Sequence, residues 1–294
     1  MIIKTPATSA NLGPGFDTLG LALDLQNEVH ITPSKFFSIS IKGEGANRAR
    51  VKTNNQFIQI YYNFYTKLMG KKDNFRFEFI NRIPFSRGLG SSSAVIVSAV
   101  ASAYHMSGIN LSREAILNKA LFYEPHPDNI APATLGGFVS SLIYKDKVIS
   151  QKKDIPDYLR AVVVIPNKAM STNQSRGKLP KSLSLQKAVF NISHSTVLAS
   201  AFFNEDWKTI RYAAKDVIHE DVRMRNLKDL FKVRELALEN GALMSTLSGS
   251  GSTFFNLVYE EDAKSLQSIL SKKFPKFRVE IYNFNNIGYN IIKD

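Results

Sequence analysis

The segment Gly88-Leu89-Gly90-Ser91-Ser92-Ser93 constrains the fold most, because it joins a strand-like run to a long run of small and apolar residues. Residues 75–80 have apolar side chains at strand spacing, whereas residues 92–106 are numerous enough for a buried helix. Glycines let the backbone approach a ligand closely, and a helix N-terminus offers unpaired N–H groups to an anion. The segment lacks the Gly-Lys-Ser/Thr ending of a P-loop and the GxGxxG spacing of a dinucleotide site. By itself it fits a polyphosphate loop and a serine-capped glycine turn about equally well.

Strand-like and helix-like runs occur along the whole chain, which predicts an α+β fold of layered sheets and helices. The chain has 294 residues, of which 44% are hydrophobic, and this is enough for one bilobal unit or two closely packed domains. The polar stretch 145–156 is the best candidate boundary, because the apolar strand 161–165 follows it. We therefore expect an N-terminal domain over 1–155 and a C-terminal domain over 156–294.

The formal net charge of +13 raises the question of a nucleic-acid partner, since lysine and arginine neutralise phosphates. The basic residues are dispersed in short groups such as Lys71-Lys72 and Lys152-Lys153, without interleaved stacking aromatics. A solvated basic surface that mildly attracts anionic small molecules is the better interpretation. We expect no nucleic-acid partner.

Cysteine is absent and the five histidines have no zinc-site spacing, so any metal should be held by oxygen ligands. The N-terminus lacks the charged and apolar regions of a secretory signal, and no apolar run approaches the length of a membrane span. These features predict a cytoplasmic protein without a membrane partner.

Segment 6–17, Pro-Ala-Thr-Ser-Ala-Asn-Leu-Gly-Pro-Gly-Phe-Asp, gathers small, polar and turn-forming residues directly after the first strand. Such loops often line sites. Asn11 and Asp17 can fix an amino or hydroxyl group of a ligand, but for this segment alone an Asx turn with an ordinary capping aspartate is the better explanation.

Segment 124–129, Glu-Pro-His-Pro-Asp-Asn, places two carboxylates, an imidazole and an amide between stiffening prolines. Glu124 suits a hard cation such as magnesium, and Asp128 can orient or deprotonate a hydroxyl group. His126 alone is more typical of a structural hydrogen-bonding residue than of a catalyst. The density of polar groups favours a site.

Three further segments are weaker signals. Segment 248–252, Ser-Gly-Ser-Gly-Ser, is by itself most simply a glycine-rich hairpin turn. Segments 172–176 and 219–223 each end in an arginine, which can grip a carboxylate with two parallel hydrogen bonds. For any single arginine, a solvated or salt-bridging role is the default expectation.

Taken in this order, the segments resemble the GHMP kinases, a family named for galactokinase, homoserine kinase, mevalonate kinase and phosphomevalonate kinase. The N-terminal Pro-Ala-Thr-Ser-Ala-Asn-Leu-Gly segment, the loop 84–94 and the glycine-rich segment 247–255 carry the resemblance. Within the family, segments 6–17 and 126–133 are most similar to homoserine kinases. The resemblance spans nearly the whole chain. It implies the GHMP kinase fold, an N-terminal domain like domain 2 of ribosomal protein S5 plus a ferredoxin-like C-terminal domain.

The resemblance also implies ATP and Mg²⁺ as cofactors and L-homoserine as the acceptor that is phosphorylated in threonine biosynthesis. ATP would be bound by Pro84, Arg87, Gly88, Leu89, Gly90, Ser91, Ser92 and Ser93, and Mg²⁺ by Ser92 and Glu124. The acceptor would be bound by Asn11, Asp17, Asp128, Asn129, Thr172, Arg176 and Arg223, with Arg225 as a competitor for the role of Arg223. The catalytic residues would be Asp128, Glu124 and Arg176.

The implied mechanism is in-line attack of the acceptor hydroxyl on the γ-phosphate, with the arginines on the carboxylate. Asp17 or Asp128 would receive the ammonium and hydroxyl groups. Asp128 is the candidate base, but the lysine partner found in related kinases is not evident, so direct proton transfer to the phosphate is an alternative. Arg87 stands where the family commonly has a smaller residue, and it can approach the phosphates or face solvent.

Two other functions stay open at this point. One is a kinase of the same fold that acts on mevalonate, a sugar or another small alcohol. The other is a catalytically silent nucleotide-binding regulator, whose expected signature, an eroded phosphate loop, is not seen. Both a monomer and a homodimer are compatible with the sequence.

Overall fold

The computed structural model describes residues 1–225 and 227–292, which fold into two sheets with helices packed on them. The strands in these ranges are β1 (Ile2–Ala10), β2 (Leu19–Pro33), β3 (Ser38–Gly43), β4 (Phe75–Asn81), β5 (Phe138–Tyr144), β6 (Lys147–Lys153), β7 (Leu159–Ile165), β8 (Met244–Leu247), β9 (Phe254–Tyr259), β10 (Arg278–Tyr282) and β11 (Asn290–Ile292). The helices are α1 (Ala49–Thr53), α2 (Gln56–Met69), α3 (Ser91–Met106), α4 (Arg113–Ala120), α5 (Pro127–Leu135), α6 (Thr172–Arg176), α7 (Leu185–Asn204), α8 (Trp207–Ala213), α9 (Glu220–Met224), α10 (Asp229–Glu239) and α11 (Glu260–Lys273).

The first sheet has the strand order β11-β1-β2-β4-β3, and the hairpin of β5 and β6 extends it from the start of β2. Only β3 and β4 pair in parallel among these strands. β1 lies between β2 and β11 and is buried at most positions, because α3 and α5 cover it. The sheet therefore contains residues from both ends of the chain, with Ile2 opposite Ile292.

The second sheet is antiparallel with the order β10-β7-β9-β8. Its central strand β7 is buried on both faces: Val162 and Val164 belong to the cluster beneath α10 and α11, while Ala161 and Val163 face the cluster shared with the first sheet. Burial on both faces explains why β7 reads as a continuous apolar run.

A shared apolar cluster joins the two sheets. Phe138 on β5 stacks on Phe202 of α7 with ring centroids 4.2 Å apart, and Leu21 of β2 lies in the same cluster as Phe255 of β9. Stacked rings and continuous burial of this kind hold packed layers in a fixed arrangement. Loops from both halves of the chain can therefore meet at one stable cleft.

The α+β architecture is confirmed, but several details differ from the sequence prediction. The polar stretch 145–156 is not a plain linker, since it contains the edge strand β6 paired with β5. The sequence pattern predicts a helix over 113–122, whereas α4 ends at Ala120. Helix α2 escaped prediction although both of its ends are marked, by Asn55, whose side chain accepts the Ile58 N–H, and by Gly70 in the left-handed region. The boundary at 155/156 stays a prediction.

None of the helices in 1–225 and 227–292 combines the length and apolar character that a membrane crossing requires.

Candidate active site

One cleft of about 360 Å³ collects every residue that the sequence assigned to a ligand or to catalysis. These residues are Asn11, Asp17, Pro84, Arg87, Gly88, Leu89, Gly90, Ser91, Ser92, Ser93, Glu124, Asp128, Asn129, Thr172, Arg176 and Arg223. We call residues 84–93 the phosphate loop. We call the following set of side chains the acceptor pocket: Asn11, Asp17, Asp128, Asn129, Thr172, Arg176 and Arg223.

The phosphate loop ends at the first turn of α3, where Gly90 is the N-cap residue with φ 65°. A Cβ at Gly88 would overlap the backbone oxygen of Ser248, and one at Gly90 would overlap Oγ1 of Thr8. Both glycines also have positive φ, which disfavours any side chain. The loop therefore brings bare backbone and the α3 N-terminus to the cleft, as an anion site requires.

The turn 248–252 between β8 and β9 braces the phosphate loop. Ser248 Oγ donates to the Gly88 oxygen at 2.6 Å, and the Thr253 N–H donates to the Arg87 oxygen at 3.0 Å. On its other side the Gly249 oxygen accepts from Asn11 Nδ2 at 3.1 Å and from Arg223 Nη1 at 2.8 Å. The turn is thus more than a hairpin connection, since it links the phosphate loop to the acceptor pocket.

Arg87 lines the cleft and also forms hydrogen bonds to the two residues that follow β7. Its Nε donates to the Pro166 oxygen at 3.1 Å, and its Nη2 donates to Oδ1 of Asn167 at 3.3 Å. The side chain therefore anchors the phosphate loop to the end of the second sheet.

An acidic and imidazole cluster faces the loop. His126 Nδ1 lies 3.2 Å from Glu124 Oε1, and its Nε2 lies 4.0 Å from Asp17 Oδ2. The hydrogen bond to Glu124 raises the pKa of His126 above its ordinary value, despite partial burial. His126 was not assigned to the site from the sequence, but the structure places it there between two carboxylates.

Asp128 sits in the first turn of α5, with only 5% of its surface exposed. Burial and the negative charge of Asp17 raise the pKa of Asp128 to about 7. Its neighbour Asn129 donates to Asp128 Oδ1 at 3.4 Å and accepts from Thr8 Oγ1 at 2.7 Å. No lysine lines the cleft among the described residues. Asp128 is thus a carboxyl group that can exchange a proton near neutral pH without a lysine partner.

The two arginines of the acceptor pocket differ in their partners. Arg176 forms two hydrogen bonds to Asp17, Nη1 to Oδ2 at 2.9 Å and Nη2 to Oδ1 at 2.7 Å. Arg223 is 3% exposed and forms an ion pair with none of the described carboxylates. Burial lowers its pKa to about 10. Arg225, the competing candidate, is exposed and does not line the cleft.

Two residues that the sequence did not assign hold Arg223 in place. His219 Nδ1 lies 3.2 Å from Arg223 Nη1, while its Nε2 lies 2.8 Å from the Gly13 oxygen. Burial lowers the pKa of His219 to about 4, so the ring is neutral, and Nε2–H donates to Gly13 while Nδ1 accepts from Arg223. The ring of Phe16 has the guanidinium carbons of Arg176 and Arg223 at 5.1 and 5.2 Å from its centroid. The four-residue spacing of His219 and Arg223 on one helix was the available signal.

The donors available for a divalent cation are few. Ser92 and Glu124 both line the cleft, and the described residues contain no cluster of three or more histidine or acidic side chains that could hold a metal ion. One carboxylate and one hydroxyl suit Mg²⁺ when phosphate oxygens and water complete its coordination.

A second pocket of about 430 Å³ adjoins the cleft and shares Ser86, Ser91 and Ser92 with it. Its apolar lining residues include Phe57, Phe79, Val51, Phe85 and Val95. Its polar lining residues include Arg48 and Asn55. None of these was assigned from the sequence, because most of them come from segments that carry no recognisable motif, while Phe85 lies in the phosphate loop at a position without an assigned role.

The chain is similar to known kinases over nearly its whole length. The family model of the GHMP kinase N-terminal domain matches residues 55–137, and that of the GHMP kinase C-terminal domain matches residues 198–276. The chain is 60% identical over 288 residues to a homoserine kinase of Nitratiruptor sp., covering 98% of each chain. It is 58% identical over 291 residues to a homoserine kinase of Campylobacter jejuni, covering 99% of this chain and all of that one. A crystal structure of homoserine kinase from Cytophaga hutchinsonii superposes with a TM-score of 0.88 at 27% identity, covering 99% of this chain and 97% of that one.

Proposed function

We propose a mechanism from the premise that the chain belongs to the GHMP kinase family and is a homoserine kinase, which transfers a phosphoryl group from ATP to the hydroxyl of L-homoserine. The product is O-phospho-L-homoserine, an intermediate of threonine biosynthesis. The observation that carries the mechanism is the cleft itself: a phosphate loop at a helix N-terminus faces two arginines suited to an amino-acid carboxylate.

The nucleotide occupies the phosphate loop and the second pocket. The backbone N–H groups of residues 88–93 and the positive end of α3 bind the phosphates. The second pocket takes the adenine, since it opens from the loop and its walls include aromatic and aliphatic side chains such as Phe57 and Phe79. Ser92 and Glu124 would hold Mg²⁺, which would neutralise negative charge on the phosphates.

The acceptor lies on the opposite wall. Its carboxylate is bound by Arg223 and Arg176, and its ammonium group by Asp17. The amides and hydroxyl of Asn11, Asn129 and Thr172 complete the pocket around the amino-acid backbone and the reacting hydroxyl. This arrangement leaves the hydroxyl end of the acceptor pointing toward the phosphate loop.

Asp128 accepts the proton of the acceptor hydroxyl during attack. Its raised pKa of about 7 matches a base that works at neutral pH, and its position in the cleft is next to Asn129. Positioning and charge neutralisation by Arg176 and the phosphate loop supply most of the acceleration, and a bound Mg²⁺ would add to the charge neutralisation. If Asp128 only accepts a hydrogen bond, the proton goes directly to the transferred phosphoryl group, and replacement of Asp128 has a small effect on turnover.

The direct test is an assay of the purified protein with ATP, Mg²⁺ and a panel of acceptors that includes L-homoserine, mevalonate and galactose. ADP release should depend on L-homoserine, and mass spectrometry should detect O-phospho-L-homoserine. Chelation of Mg²⁺ should abolish turnover and Mg²⁺ addition should restore it. Preference for mevalonate or galactose, or no turnover with any acceptor, would contradict the proposal.

We propose that the protein acts in the cytoplasm, where ATP is supplied. We also propose that it forms a homodimer in which the two copies pair through α7. Leu185, Val189 and Ile192 lie on one face of this helix and are 81%, 55% and 66% exposed. Lys187 is the only lysine, arginine or acidic residue in α7, so this face can pair with its copy despite a net charge of +13 on each chain. Sedimentation of the native protein and of Ile192→Glu should show a dimer and a monomer, respectively, and a monomeric native protein would refute pairing.

A further inference from the structure

Arg176, one of the two arginines proposed to bind the acceptor carboxylate, already holds a carboxylate of this chain. Asp17 accepts hydrogen bonds from both terminal nitrogens of Arg176, at 2.9 and 2.7 Å, across 159 residues of sequence. This parallel two-bond geometry is the one an arginine would use for the carboxylate of an amino acid. The hydrogen bond to Asp17 also raises the pKa of Arg176.

Asp17 is held at this position by its own backbone. Its φ is 57°, in the left-handed region, and its N–H donates to Asn11 Oδ1 at 3.0 Å. Asn11 in turn donates to the Gly249 oxygen. The carboxylate is therefore aimed at Arg176 by a fixed turn, and not by free motion of a loop.

The neighbouring Arg223 differs from Arg176 because it is not paired with a carboxylate in the part of the chain that the structure describes. It is buried and no described carboxylate forms an ion pair with it, although the two arginines are alike in that the Nε of each has no hydrogen-bond partner among the described residues. Its Nη1 donates to the Gly249 oxygen and to His219 Nδ1, but no described carboxylate neutralises its buried charge, so it can attract an incoming carboxylate. The ring of Phe16 lies within cation–π distance of both guanidinium groups, which places the two arginines side by side on one wall of the pocket.

We propose that Asp17 competes with the acceptor for Arg176, and that the pocket selects zwitterionic amino acids by exchange of ion pairs. The acceptor carboxylate takes Arg176 and Arg223, while the acceptor ammonium takes Asp17, so every charge keeps a partner. A hydroxy acid without the ammonium group must displace Asp17 from Arg176 and leaves the Asp17 carboxylate without a partner. An amino alcohol without the carboxylate offers no new partner to Arg176 or Arg223. This inference rests on the proposed function of the acceptor pocket, and it adds a role in rejection to the binding role of Asp17.

The test compares L-homoserine with 4-hydroxybutyrate, which has the same hydroxyl and carboxylate but no ammonium group. Asp17→Asn removes the charge and keeps a residue that tolerates the left-handed backbone. The variant should bind L-homoserine at least about tenfold more weakly, because the ammonium partner is lost. It should bind 4-hydroxybutyrate about five- to tenfold more tightly, because Arg176 is now free in every molecule.

Binding is measured by calorimetry without ATP and is followed by steady-state KM with ATP. Asp221→Asn is the matched control, since it makes the same carboxylate-to-amide change on α9 outside the cleft, where Asp221 pairs with Arg234, and it should change the affinity for 4-hydroxybutyrate by no more than about twofold. Circular dichroism checks the fold of each variant.

The opposite changes for the two ligands are the signature of exchange. The competition is refuted if Asp17→Asn weakens the binding of both ligands or leaves the binding of 4-hydroxybutyrate unchanged. It is also refuted if Asp221→Asn tightens the binding of 4-hydroxybutyrate as much as Asp17→Asn does. These outcomes are distinct from failure of the proposed function, which would appear as absence of homoserine-dependent turnover in the native protein.

Discussion

The phosphate loop and the acceptor pocket differ in the groups that they offer to the proposed ligands. The loop presents backbone N–H groups at the start of α3, and its shape depends on two glycines pressed against Ser248 and Thr8. The acceptor pocket presents charged side chains from distant segments, such as Asp17 and Arg176. A backbone cradle suits a polyphosphate of fixed shape, whereas paired charges can distinguish one small acceptor from another. We therefore expect changes in the two regions to affect different substrates.

The largest effect should come from Asp128→Asn. Loss of the proton acceptor should lower kcat by about 10²–10⁴-fold, measured as ADP release at saturating ATP and L-homoserine. A kcat within a few-fold of the native value would show that Asp128 only positions the hydroxyl.

The same variant should be more stable above neutral pH. Burial raises the folded-state pKa of Asp128 from 3.8 to about 7, so the unfolded chain ionises first and stability falls as pH rises between these values. Asparagine carries no such charge. Asp128→Asn should therefore melt a few degrees higher than the native protein at pH 8, and both should melt alike at pH 4.

Arg223→Gln should have the next largest effect, and it should weaken the binding of L-homoserine without weakening the binding of ATP. Removing a buried partner of a carboxylate costs about 2–5 kcal/mol, so KM for L-homoserine should rise by at least about thirtyfold. Arg225→Gln is the matched control, because Arg225 is two residues away and exposed, and it should leave KM unchanged. Equal effects of the two changes would remove the assignment of Arg223.

Gly88→Ala should weaken ATP binding more modestly. Alanine in the left-handed region costs about 1–2 kcal/mol, and its Cβ would push the loop away from Ser248, so KM for ATP should rise roughly tenfold. Gly70→Ala is the control, since Gly70 also has positive φ but has open space around it and lies at the end of α2. It should lower stability without changing KM for ATP.

The smallest effect is the pH dependence of the native enzyme. Asp128 must be ionised to accept a proton, and with a pKa of about 7 its ionised fraction rises about threefold between pH 6.5 and 7.5. kcat/KM for L-homoserine should rise with it. The residual activity of Asp128→Asn should lack this rise, and a rise that persists in the variant would assign the titration to another group, such as His126.

The same two regions show what could be predicted from sequence. The phosphate loop is contiguous, and strand, glycines and helix stand side by side in the chain, so its place at the start of α3 was predictable. The choice of Arg223 over Arg225 was not, because spacing alone does not say which arginine is buried. Nor could the sequence show that Arg176 is occupied by Asp17, a contact between residues far apart in the chain.

In the fold, buried strands and helices with strong apolar patterns were predicted, whereas pairings between distant segments were not. β11 returns to pair with β1, and the edge strand β6 is largely polar because it is exposed, so neither left a local pattern that identifies it. The second pocket was missed for the same reason, since its walls come from α1, α2, β4 and the phosphate loop together.

The most direct test of the division between the two regions is calorimetry of Arg223→Gln with each ligand separately. A non-hydrolysable ATP analogue with Mg²⁺ should bind within about twofold of its native affinity, while L-homoserine should bind at least about thirtyfold more weakly. If the variant instead loses affinity for the ATP analogue as much as for L-homoserine, the two regions are not separate sites and the account is wrong.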